Sequence, residues 1–268
     1  MMEEASVGNW MHVILERERN CHHAFFGQEF DLSKFQQTLE KCGEERIHFW
    51  QSLSLEPHFL PLIVMSEDAN FPGWKIKPEN SYYRRVAEGK VQLLQPDETF
   101  LPDKEAFRLE GISVLIETRL KPENKHGGQL FENDNLLGPI LERLRCEGKI
   151  HKYAYGPQSS RLDVWPKEQE RHLKPALAEL LGVQASQIRR ERVIEQNVIP
   201  QLFPHMPRKN DGNTKTSCWY EEYIKPRDCQ KCYDSPSYGS LAHVHCGDWW
   251  SGKHAMDRAI RYLVVLDS

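Results

Sequence analysis

Two runs of sequence constrain this chain more than any other feature. "GISVLIET" (111–118) and "IRYLVVLD" (260–267) are apolar, β-branched and short, which reads as a pair of buried strands. They bracket the C-terminal part of the chain, and strands at the two ends of a domain commonly pair. Residues 112–118 and 260–266 are therefore expected to lie in one sheet, with the intervening chain hung from that closure.

What lies between them is uneven. In "NDNLLGPILERLRCEGK", Leu136, Leu137, Ile140, Leu141 and Leu144 share one helical face and Gly148 supplies the stop. A second helix is broken at Pro175, which has no amide to donate, and its later half "PALAELLG" ends at Gly182. From there regular signals become short and sparse until residue 260. Upstream, Val7, Trp10, Met11, Ile14 and Leu15 fall on one helical face. Asp31 reads as the N-cap of a helix through Leu32, Phe35 and Leu39 that ends by Gly43. Residues 66–103 are punctuated by Pro and Gly, and read as loop with one short helix. The pattern is α+β: a helical N-terminal region over 1–109, then a domain over 110–268 with short strands, two helices and long irregular loops.

Charge and cysteine usage narrow the function. The formal net charge is −4, and residues 217–268 carry six Lys/Arg against seven Asp/Glu, so no basic nucleic-acid footprint is present. The start "MMEEASVGNW" lacks a basic flank and apolar run, so synthesis in the cytoplasm without a signal peptide is expected. No stretch approaches the length of a membrane span. Seven cysteines, an odd number, suggest reduced thiols rather than a disulfide framework.

Four of those cysteines fall between Cys218 and Cys246, where chemistry is the first thought. Cys229 and Cys232 with His243, His245 and Cys246 have the residue types for zinc. The two histidines are two apart rather than three to five, however, and no second CxxC is present, so no metal ligand is assigned and no stoichiometric zinc is expected. Cys246 beside His245 could be a nucleophile and base, yet neighbours in a strand point to opposite faces. Glu221 and Glu222 in "CWYEEY" could form a carboxylate dyad, but read better as a solvated helix start. No catalytic residue is assigned, nor a cofactor. Composition favours recognition instead. Between Ser217 and Asp257 stand Tyr220, Tyr223, Tyr233 and Tyr238, five Ser, three Trp and three His, the mixture of rigid aromatic area and adaptable polar groups that binding loops use.

The run "WYEEY…YGSLAHV…WWSGKHAMDRAIRYLVVL" resembles the C-terminal region of variable proteins from diversity-generating retroelements. These have the C-type lectin fold of the group related to formylglycine-generating enzymes, and come from viruses, phages, bacteria or archaea. Similar pieces are Trp219 to Glu222, Tyr238 to Leu241, Trp250-Ser251 and Arg258 to Leu263, with 127–161 and "VIPQLFPHMPRK" upstream. In that family an error-prone reverse transcriptase rewrites adenine positions in one short coding region. The resemblance implies a variable segment at about 217–263 and a ligand-binding surface displayed by a virion or cell, recognising an unknown protein or cell-surface ligand. It implies binding residues Tyr223, Tyr233, Ser235, Ser237, His243, His245, Asp248, Trp249, Lys253, His254, Met256 and Asp257 on one exposed face. Trp219, Leu241, Trp250, Ile260 and Leu263 should be buried beneath it. The alternative is a metal- or cysteine-dependent enzyme of the same fold.

Overall fold

The computed structural model describes residues 9–94, 99–120, 124–125, 128–129, 133–208, 217–224, 230–234, 241, 244–247 and 258–267. At its centre is β4 (Arg108–Glu117), whose residues 113–117 are all buried. It pairs antiparallel with β1 (Leu55–Val64) on one side and β12 (Tyr262–Val265) on the other. Leu263 stands opposite Ile116, Val264 opposite Leu115 and Val265 opposite Val114, which is the expected closure of the two apolar runs. β7 (Ile188–Arg190) completes the order β1-β4-β12-β7.

Both faces of this sheet carry core, which explains why its inner strands read as continuous apolar runs rather than alternating ones. Leu115 and Val264 face a cluster built from Ile14, Phe35, Leu39, Ile47, Trp50, Leu141, Leu177 and Ile188. Val114, Ile116 and Leu263 face the opposite cluster, with Phe25, Tyr82, Val86, Ile194, Val198 and Tyr220. The first cluster draws on α1 (Asn9–Phe26), α2 (Ser33–Cys42), α3 (Glu44–Ser52) and α5 (Gly138–Cys146). The second draws on α1 again and on α4 (Asn80–Ala87).

The expected boundary near residue 109 falls inside β4, and the N-terminal part is more than helical. It supplies the ten-residue β1, which reads poorly from sequence because Pro57 and Pro61 interrupt "LEPHFLPLIV". Proline cannot donate to a ladder, but β1 is an edge strand, where one side needs no donor. Gly111 has φ +72° within β4, and a Cβ there would come within 3.0 Å of the Leu62 Cβ, so glycine is required on both counts.

Further along come β2 (Val91–Leu94), β3 (Phe100–Pro102) and the two-stranded β5 (Asn124–Lys125) and β6 (Gly128–Gln129). The helix expected to break at Pro175 continues as α6 (Pro166–Glu168), a π turn over Gln169–Leu173 and α7 (Lys174–Leu181). Pro175 sits in the first turn of α7, where its missing amide costs nothing, and Gly182 closes the helix in the left-handed region. The stretch read as irregular after 182 contains a further helix, α8 (Val193–Leu202), every residue of which except Gln201 is buried. Beyond it lie β8 (Ser217–Ile224), β9 (Gln230–Asp234), β10 (Val244–Gly247) and β11 (Arg258–Ala259). These form a second antiparallel sheet of order β10-β9-β8-β2-β3, with β11 added parallel to β8. The class is α+β. No helix among the described residues is long and apolar enough to cross a membrane.

Candidate functional site

The stretch expected to bind ligand begins at β8, and β8 is buried on both sides. Trp219, Tyr220, Glu222 and Tyr223 are all at most 4 % exposed. Two expectations are corrected here. "CWYEEY" is a strand rather than a solvated helix start. Tyr223 is core rather than surface, packed edge-on against Phe100 with ring centroids 5.0 Å apart. A central strand covered on both faces leaves neither of its alternating rows to solvent.

Glu222 shows what the burial is for. Its two carboxylate oxygens both accept from the Val193 amide at 3.1 Å, at the start of α8, where unpaired N–H groups and the helix dipole favour an acceptor. Burial, opposed by Arg192, pushes its carboxyl up to about 8. On the other face, Glu221 Oε2 accepts from the Arg190 amide at 3.1 Å and pairs with its guanidinium at 3.2 Å. Arg192 spans Asp103 and Glu110, and Arg189 holds Glu195 and Glu110. The "RRER" run of 189–192 thus bolts β7, β8, α8 and the end of the 66–103 region together.

A second ionic group ties the far end of β4. Arg161 is fully buried and donates to Glu117 at 2.6 and 2.8 Å and to Asp134 at 2.6 and 2.8 Å. Burial alone would raise the Asp134 carboxyl, but Arg161 holds it at about 2. Arg208 pairs with Glu191 at 2.7 Å, and Arg261 Nη2 donates to the Arg119 carbonyl at 2.8 Å. Sequence reading missed this network. Its only trace was the number of arginines in 189–208, close to apolar residues and without a helical period.

The two ends of the 217–259 stretch stand side by side in this framework. Arg258 is the parallel partner of Ser217, and Ala259 of Cys218. Cys218, Ala259, Ile260 and Leu263 are buried, so Ile260 and Leu263 lie as expected, as does Trp219. Leu241 differs: it is half-buried, with its carbonyl accepting from Asn197 Nδ2 at 2.9 Å. Asn197 Oδ1 in turn accepts from Trp74 Nε1 at 2.8 Å, so α8 links the loop around Trp74 to Leu241.

Beyond β8, Tyr233 stands opposite Trp219 and His245 opposite Tyr233, which sets the three in one row across β8, β9 and β10. Cys232 and Cys246 are partners in the neighbouring row. Ser235, Ser237, His243, Asp248, Trp249, Trp250, Lys253, His254, Met256 and Asp257 lie outside the described residues, as does Cys229. Among the described residues, the one grouping with metal-ligand geometry is elsewhere: Glu56, His58 and His205. Comparison of the chain with protein-family models, with curated proteins and with solved structures finds no match in any of the three.

Proposed function

We propose that this protein is a ligand-binding protein whose segment 217–263 is diversified by a retroelement, on a C-type-lectin-like scaffold. The observation that carries the reading is the parallel contact of β11 with β8. Residues 219–257 form an excursion whose two feet, 217–218 and 258–259, stand side by side. Among the described residues, the sheet closes through β4 and β12 and the ion pairs close through residues 117–208 and 221–222. A fold built this way tolerates wholesale replacement in the part of the excursion after β8, because substitutions away from packed features usually move stability by less than about 0.5 kcal/mol each.

An enzyme of the same fold has less support. The carboxylates of β8 are taken up by Arg190, Arg192 and the start of α8.

The encoding DNA tests the reading directly. A near-repeat of the codons for residues 217–263 is expected beside a reverse-transcriptase gene, differing only where the repeat has adenine. Differences should fall at 233, 235, 237, 243, 245, 248, 249, 253, 254, 256 and 257 and spare Trp219, Ile260 and Leu263. Absence of the repeat, or differences spread evenly over the buried positions, would sink the proposal.

A further inference from the structure

The proposed function leaves unexplained a cluster formed by β1 and the turn after α8. Glu56 and His58 are two apart on β1 and therefore share a face of that strand. His205 reaches the same point from the turn after α8. One atom of Glu56, Oε2, lies 3.5 Å from His58 Nε2 and 3.2 Å from His205 Nε2. All three ligand atoms fall within 4.8 Å of one another. A tetrahedral ion with bonds of about 2.0–2.2 Å needs its ligand atoms roughly 3.3–3.6 Å apart, so two of the three edges are already at that length.

Two further observations point the same way. The His58 ring is fully buried, and its Nε2 makes no well-formed hydrogen bond, with the Glu56 oxygen standing off at 3.5 Å, whereas a buried polar atom ordinarily makes one. The ring's other nitrogen, Nδ1, lies 2.7 Å from Glu18 Oε1, and the second oxygen of that carboxylate is fixed by the Phe59 amide at 3.1 Å. A carboxylate behind Nδ1 fixes the tautomer that offers the Nε2 lone pair forward, the arrangement that orients metal-binding histidines. Phe203, with its ring centroid 4.0 Å from that of His58, packs against the imidazole.

We propose that Glu56, His58 and His205 bind one divalent transition-metal ion of the zinc class, with Glu18 positioning His58. Two imidazoles and one carboxylate suit zinc and its neighbours rather than calcium or magnesium, which take oxygen ligands. Arg17 Nη1 already donates to Glu56 Oε2 at 3.0 Å, but a carboxylate oxygen has two lone-pair directions, one for the guanidinium and one for the ion. His205, the third ligand, is exposed. His205 also lines an open cavity of about 410 Å³ with Val13, Arg17, Cys21 and Pro204, which gives the ion a way in. This site departs from the expectation of no stoichiometric zinc, which considered only the cysteines and histidines of 229–246.

Metal titration of the full chain decides it. Protein stripped with chelator and dialysed is titrated with Zn²⁺ by calorimetry and with Co²⁺ by visible absorption. One ion per chain is expected, with a cobalt spectrum that lacks thiolate charge transfer. His205→Ala, at a partly exposed position, should weaken binding at least about tenfold, and Glu18→Gln by on the order of 10- to 100-fold. The double change Cys229→Ser with Cys232→Ser should leave it unaltered. Glu56→Gln keeps the side chain's shape and removes the anionic ligand, so it serves as a second variant beside His205→Ala. No uptake by the parent protein would make the cluster a plain buried ion pair and overturn the site. So would unchanged affinity in His205→Ala or Glu56→Gln, or loss of binding with the cysteines.

Discussion

Arg161 is where a single side chain does most for this fold. Its guanidinium sits between Glu117 at the end of β4 and Asp134 before α5, with all three side chains at most 3 % exposed. A buried ion pair contributes little over a well-packed apolar replacement, but removing one partner strands the other charges in a place water cannot reach. Arg161→Ala is therefore expected to cost about 3–5 kcal/mol, read by chemical denaturation. A loss within about 0.5 kcal/mol, the level of an ordinary surface change, would mean that Arg119 takes over both carboxylates. His151 offers a residue-scale test with a pH axis. Hydrogen bonds to Asp163 and Glu168, at 3.0 and 2.9 Å, raise its imidazole from the usual 6.5 to about 9 against the opposing effect of burial. The folded state thus holds the proton more tightly than the unfolded chain. The stabilisation is complete below about pH 6.5 and is lost as pH rises toward 9. His151→Gln should melt below the parent at about pH 6, with the gap closing by about pH 9.5; a gap independent of pH would show that packing on Trp165, not charge, is what the ring contributes.

Among the elements, α8 is the connector between framework and excursion, and Asn197 is its contact point. Its amide nitrogen holds the Leu241 carbonyl while its oxygen holds the Trp74 indole N–H. Asn197→Asp keeps the acceptor for Trp74 and replaces the donor with a second acceptor facing a carbonyl. Leaving that carbonyl unpaired should cost about 1–3 kcal/mol and speed proteolytic cleavage near residue 241, with the near-ultraviolet signal of Trp74 retained. An unchanged cleavage rate would show that Leu241 is held by something else. α8 is also the element least legible in sequence, and the reason is physical. A helical stripe is visible only when one face meets water, and "VIEQNVIPQL" is buried apart from Gln201, with Glu195 and Asn197 satisfied by internal partners and Pro200 inside. β1 hid for a different reason, since its prolines argue against a strand unless the strand is known to be at an edge. By contrast β4, β12, α2, α5 and the stop at Gly182 were legible, because each is announced by local pattern or by a residue whose backbone freedom the turn requires. At the candidate sites the sequence marked Trp219, Ile260 and Leu263 as buried but misplaced Tyr223, since two-sided burial of β8 arises from β2, α8 and the ion pairs, all distant in sequence. Glu56, His58 and His205 escaped notice for the same cause: nearly 150 residues separate the strand from the turn that completes the cluster.

For the whole molecule, the question is whether stability and recognition are carried by separate sets of residues. The two core clusters draw on helices from both ends of the chain, on both faces of the β1-β4-β12-β7 sheet, and among the described residues of the 217–263 segment they use Tyr220, Ile260, Tyr262 and Leu263. Between β8 and β11, the described residues meet this framework through the feet of the excursion, the ladder from β8 to β9 and the Asn197 contact. If the excursion is a binding surface, replacing His243, His245, Lys253 and His254 together by Ser should move the melting temperature by only a few degrees, on the order of one kcal/mol in total. Trp219→Ala should instead cost roughly 3–5 kcal/mol, because its ring is 4 % exposed and the space it leaves cannot be refilled by the rigid strands on either side. Thermal and chemical denaturation of the two variants against the parent separates the cases. A four-site variant that unfolds while the Trp219 variant survives would make the histidine-rich stretch part of the fold's support, and the separation of framework from face would be lost.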